Sequence, residues 1–141
     1  METLLYNRVP RRVMNFRNKY LLNTIRILFG LIMLASGVMG FVAGRSTEGM
    51  PPDMVPITNA LWDSGIFQMI KVTEIVVGLM LVANFLPALA AIFIAPVSVG
   101  IVVVTALLMP NTVIVGIIIC LLNAYLGYAY WNKYKQLFSR K

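Results

Sequence analysis

Residues 65–109 read GIFQMIKVTEIVVGLMLVANFLPALAAIFIAPVSVGIVVVTALLM. Two apolar runs, about 65–86 and 87–109, meet here with only the stretch from Asn84 to Pro87 between them. A bilayer core of about 30 Å needs about 20 helical residues at about 1.5 Å each, and each run has that length. Apolar helices joined so tightly must fold back on one another, so the stretch predicts an antiparallel membrane hairpin. A further run follows the break Met109-Pro110-Asn111 at about 112–131, TVIVGIIICLLNAYLGYAYW. Another lies upstream at about 22–43 and contains ILFGLIMLASGVMGFV. The expected fold is all-α: a polytopic membrane four-helix bundle.

Composition agrees with that reading. Of 141 residues 60% are hydrophobic and 12% charged, with a mean hydropathy of +0.83. A soluble domain carries about 45–50% apolar and about 25% charged residues. So short a chain cannot hide this much apolar side chain in one water-facing core, so most of it must meet lipid. The net charge of +7 does not indicate nucleic acid. Arg8, Arg11, Arg12, Arg17, Lys19 and Arg26 precede or open the first run, and Lys133, Lys135, Arg140 and Lys141 follow the last, which is how membrane spans are flanked. There is no histidine and one cysteine, Cys120. That excludes an internal disulfide, a histidine metal site and a histidine general base; no metal is expected.

Residues 1–21 read as a basic tail in which Pro10 interrupts any early helix, and residues 132–141 as a second basic tail. The segment VMNFRNKYLLN at 13–23 has the mixed character of a surface-lying stretch. Anionic headgroups are the expected partner of both tails, each basic residue near them contributing on the order of 1 kcal/mol. The apolar run that follows is too long for the core of a signal peptide and lacks a small-residue cleavage pattern. The loop 44–64, GRSTEGMPPDMVPITNALWDS, holds three of the five acids, Glu48, Asp53 and Asp63, against one base, Arg45. The positive-inside rule then puts both termini in the cytoplasm and this loop outside, in the cell (inner) membrane. Within the loop ITNALW is expected to form a short amphipathic turn, and Trp62, Tyr125, Tyr128, Tyr130 and Trp131 suit the headgroup level.

Helices in lipid associate by close packing, favoured by small residues four apart. Ser36, Gly40 and Gly44 form such a stripe in the first span, and Ala91 and Ala95 in the third, where Pro96 predicts a kink. The second run carries Ser64, Gln68, Lys71, Glu74 and Gly78 at spacings of four, three, three and four, one helical face. Glu74 falls near the midplane, where a charge costs about 2.5–3.5 kcal/mol by insertion scales and therefore turns inward to a partner. Lys71, one turn away, is that partner. Two readings stay open: a carboxylate serving a proton, ligand or quinone site, or an ion pair that fixes packing. An adjacent ammonium favours the ionised carboxylate, which weakens a proton-carrier role. Arg26, at the start of the first span, is expected to snorkel to headgroups, the alternative being a turn inward toward the polar stripe. Asn123, sharing a face with Cys120 and Gly127, is expected to bond a neighbouring helix, and Asn84 to close the second one.

The run RILFGLIMLASGVMGF, the element MPPDM, the segment IKVTEIVVGLMLVANFLPALA, then IAPVSV and the tail AYWNKYKQLF resemble the DoxX-like membrane proteins across most of residues 25–138. The resemblance implies a four-helix membrane bundle and points to Arg26, Gly37, Lys71 and Glu74. It also implies association with quinol oxidases, thiosulfate–quinone oxidoreductases or redox homeostasis in some members. The chain departs from the family pattern at Met39, Gly100 and Thr105, where relatives often carry asparagine, asparagine and histidine, so a polar pocket is diminished. The leading expectation is a non-catalytic accessory or assembly subunit of a respiratory or secretory membrane complex, partnered by another membrane protein or by a second copy. The alternatives are a redox component holding a quinone, the one cofactor considered, at Lys71 and Glu74, and a small proton-coupled transporter. Such transporters usually carry their carboxylate unpaired on the first helix.

Overall fold

The computed structural model describes the backbone of residues 2–138 and the side chains of residues 19–136. It is all-helical, with no strand among the described residues. In chain order the elements are α1 (Glu2–Ala43), α2 (Met54–Asp63), α3 (Ile66–Val82), α4 (Pro87–Leu108), a 3-10 turn (Pro110–Thr112), α5 (Val113–Ala129) and α6 (Trp131–Phe138). Three helical stretches are long and apolar enough to cross a membrane: Lys19–Ala43, Pro87–Leu108 and Pro110–Ala129. The pair α2–α3, bent by 79° at its junction, makes a fourth if it is taken as one broken span. By length and composition the chain is a multi-pass membrane protein.

Each helix stops for a local reason. α1 ends where Gly44 turns left-handed at φ +60°, a conformation open to glycine because it has no Cβ. α3 closes through Asn84 at φ +56°, with the amide of Phe85 donating back to the carbonyl of Met80 at 2.8 Å. That bond satisfies a carbonyl left orphaned by the last turn. Pro87 then opens α4 at a first-turn position, where its missing N–H costs nothing. Met109 and Pro110 separate α4 from α5.

One expectation about proline is corrected. Pro10 does not interrupt the first helix, which runs unbroken from Glu2. A proline removes one helical hydrogen bond at a cost of about 3 kcal/mol, and the turns on either side keep theirs. α4 continues through Pro96, which lies on the exposed face. The tail residues Arg8, Arg11, Arg12, Arg17, Arg140 and Lys141 lie outside the described side chains, as does most of the amphipathic stretch at 13–23.

α1 packs on α3, α3 on α4, α4 on α5, and α5 returns to α1. Gly30 faces Gly78 and Leu81, whereas Gly37 and Gly40 face Lys71; numbers rise on one helix as they fall on the other, so α1 and α3 are antiparallel. The core is small: Phe29 and Met33, Val77 and Leu81, Ala90, Ala91 and Ile94, Ile119 and Leu126, with Tyr130 closing one end. Around it Leu28, Leu31, Val42, Met69, Leu79, Phe93, Leu107, Ile114 and Leu121 are exposed. So continuous an apolar exterior is foreign to a soluble monomer and carries no penalty against lipid tails.

Candidate functional site

The polar face of α3 is buried against α1 rather than turned outward. Glu74 is 1% exposed, and its Oε2 accepts a hydrogen bond from Lys71 Nζ at 2.9 Å. The same ammonium donates to Ser36 Oγ on α1 at 3.4 Å and stands 5.4 Å from the centre of the Phe67 ring. Its stem lies on Gly40, where an added Cβ would come within 2.9 Å of three Lys71 methylenes. Glycine at 40 thus provides the channel that carries a long cationic side chain along the helix interface to its carboxylate. One turn back, Gly37 lets the Lys71 carbonyl and Ile75 approach within about one Cβ radius of α1, with contacts of 2.9 and 2.6 Å from a built Cβ.

The closest backbone approach is elsewhere on the same interface. A Cβ on Gly78 would lie 2.8 Å from the Gly30 carbonyl and 2.8 Å from the Leu34 amide. Gly30 has no small residue four positions away, its nearest glycine on α1 being Gly37, seven residues on. The four-residue stripe ends at Gly40. Gly44 meets nothing within 4 Å and serves as the helix stop, not as a packing contact.

The other polar residues do not join the Lys71–Glu74 pair. Gln68 belongs to the elbow between α2 and α3: its Nε2 donates to the Trp62 carbonyl at 3.2 Å, beside the Trp62–Phe67 ring contact at 5.2 Å. Gln68 Oε1 is buried without a protein partner. The loop is tied to this elbow by Arg45, which pairs with Asp63 at 2.8 Å and donates to Asn59 Oδ1 at 3.2 Å.

Arg26 corrects the snorkelling expectation. It is 5% exposed and donates from NH1 to the Leu81 carbonyl at 2.9 Å, with a long contact of 3.5 Å to Asn23 Oδ1. Leu81 stands in the last turn of α3, whose carbonyls carry the negative end of the helix dipole, so a cation there is stabilised by the backbone itself. That tertiary acceptor holds the guanidinium inside. Its Nε remains buried without a protein partner.

On the opposite side of the core Asn123 Nδ2 donates to the Ala91 carbonyl at 3.0 Å, joining α5 to α4. Ala91 is buried and Ala95 half-buried. Gly116 makes the close approach at the far end of this pair, a built Cβ falling 2.7 Å from Thr105 Oγ1. Ser98 on α4 is 1% exposed and its hydroxyl has no protein partner. α6 is fastened by Tyr134, whose hydroxyl donates to the Ala88 carbonyl at 2.7 Å. Burial pushes the Tyr134 phenol above its ordinary pKa, and the neighbouring Tyr130 adds to the shift, so the proton stays on the donor.

No family model, curated protein or solved structure matches this chain. The interior holds an ion pair with a hydroxyl, a helix-end arginine and one amide clasp. Each joins two helices or two turns of one helix.

Proposed function

We propose that the chain is a DoxX-like four-span membrane protein, with both termini in the cytoplasm of the cell (inner) membrane. In this reading it is a non-catalytic accessory or assembly component of a respiratory or secretory complex. The observation that carries the reading is the closure of the Lys71–Glu74 pair at 2.9 Å, with Glu74 almost wholly buried. Charges that satisfy one another inside a helix interface hold packing in place. They leave the apolar outer faces and the loop 44–64 as the surfaces available to another membrane protein or a second copy. Four crossings are supported by the antiparallel packing of α3 on α1 and by the four-residue reversal from α3 into α4. Basic residues at both ends and acids in the loop support the assigned sides.

The test is purification in mild detergent from native membranes. Recovery with another membrane protein at fixed stoichiometry is the expected result, and an isolated homo-oligomer would contradict the accessory role.

A second reading has one observation in its favour. Lys71 directs N–H groups to Glu74 and Ser36, which leaves one of its three donors for a ligand, and the buried Gln68 Oε1 one turn away has no protein partner. A quinone carbonyl near Lys71 would use such a donor. Quinone affinity should then fall in Glu74→Gln; an unchanged affinity removes this reading.

A further inference from the structure

The end of the molecule where α1 begins its apolar stretch and α5 finishes contains a cavity of about 540 Å³, lined by Lys19, Leu22, Tyr125, Tyr128, Trp131 and Asn132 among others. Near it the Tyr134–Ala88 hydrogen bond ties α6 to the start of α4. Leu21, Leu22 and Ala129 supply an apolar part, Tyr125, Tyr128 and Trp131 aromatic walls, and Lys19 and Asn132 the polar donors. Tyr128 and Trp131 are exposed, with the amphipathic character that suits the boundary between headgroups and acyl chains.

Charge at this end has one sign. No acid occurs between Thr3 and Ser46 or between Ile75 and the end of the sequence. Lys19 is the charged residue of the lining, Arg26 lies further along α1, and Lys133 and Lys135 stand on α6. Arg26 lies on the same face of α1 as Leu22, one turn further in, buried and with Nε unpartnered. A ligand that places an anion beside Lys19 and an alkyl chain along α1 and α5 would match both parts of the groove. Its volume is in the range of small-molecule sites, about 300–1,000 Å³.

We propose that this groove binds one anionic glycerophospholipid, its phosphate against Lys19 and Asn132, its glycerol region between Tyr125 and Trp131, and one acyl chain descending between α1 and α5. This is a site of defined stoichiometry, distinct from the diffuse attraction of basic tails to a membrane surface. It requires α1 and α5 to reach the headgroup level and is independent of which leaflet that is and of any partner protein.

The test uses Trp131 as its own reporter. With Trp62 replaced by Phe, Trp131 is the single tryptophan, and the protein is titrated in neutral detergent with brominated phosphatidylglycerol or brominated phosphatidylcholine. Phosphatidylglycerol should quench at a concentration at least about fivefold lower, the factor expected from one basic residue beside an anionic headgroup. Lys19→Gln should remove most of that preference, Lys135→Gln should retain it, and native mass spectrometry should find one retained phosphatidylglycerol. Lys19 is exposed, so its replacement leaves the fold intact. Equal quenching by the two lipids overturns the proposal, as does equal loss in the two lysine variants. Full competition by inorganic phosphate would do so too, since it would reveal an anion site without a lipid groove.

Discussion

The α1–α3 and α4–α5 interfaces both pair largely apolar helices but join them by different means. α1 and α3 touch backbone to backbone at Gly30 and Gly78, and further along Gly40 makes room for the Lys71 stem, whose ammonium pairs with Glu74 on α3 and reaches Ser36 on α1. α4 and α5 approach closely at Gly116 and are clasped by one neutral amide, Asn123 on the Ala91 carbonyl. In lipid neither pair gains from hydrophobic exclusion, so contact and polar bonds must do the joining. The difference lies in the consequences of failure. An amide that loses its acceptor leaves a neutral group to rearrange, whereas a buried ammonium that loses its carboxylate leaves a charge.

Removing one partner of the pair should therefore have the largest effect. Glu74→Ala leaves Lys71 uncompensated and should cost about 3–5 kcal/mol in a detergent unfolding titration. The double variant Lys71→Leu with Glu74→Leu should recover most of that loss, because a matched apolar pair incurs no desolvation. Failure of the double variant to recover would mean that the charges do more than neutralise each other. Next comes Gly78→Val, whose branched side chain meets backbone atoms of α1 and should destabilise by about 1–3 kcal/mol or separate the helices. Gly100→Ala is its control, since nothing lies within 4 Å there, and it should be silent. Asn123→Ala tests the other interface and should cost about 0.6–1.7 kcal/mol. A loss as large as that of Glu74→Ala would erase the contrast between the two interfaces. The smallest effect is expected at the loop, where the Arg45–Asp63 pair is half-exposed. Arg45→Gln should cost less than about 1 kcal/mol, and salt should remove even that.

What the sequence makes legible is what local geometry determines. Lys71 and Glu74 stand three residues apart on one helix, so any helical reading brings them together. Asn84 before Phe85, Leu86 and Pro87 marks a helix end through residue preference alone. What it hides depends on partners far along the chain. Arg26 looks like a snorkelling residue until the Leu81 carbonyl, 55 residues away, is placed beside it. Gln68 looks like a member of the polar stripe, but the 79° bend between α2 and α3 supplies it with a nearer acceptor in Trp62. Gly30 and Gly44 exchange roles for the same reason: the four-residue pattern favours Gly44, while the contact with α3 falls at Gly30. The tie from Tyr134 to Ala88, which fastens α6, spans 46 residues and leaves no local pattern to read.

The contrast between the two interfaces rests on α3 as part of a membrane crossing, which it makes together with α2 across their 79° bend. The direct measurement is labelling of single cysteines by a membrane-impermeant maleimide in intact cells, in a Cys120→Ala background. With four crossings Glu48→Cys should label from outside, and Lys135→Cys should label only after permeabilisation. Labelling of both Glu48→Cys and Lys135→Cys in intact cells would mean three crossings. It would put the C-terminus outside and take Glu74 out of a membrane-spanning helix, contradicting the account at its centre.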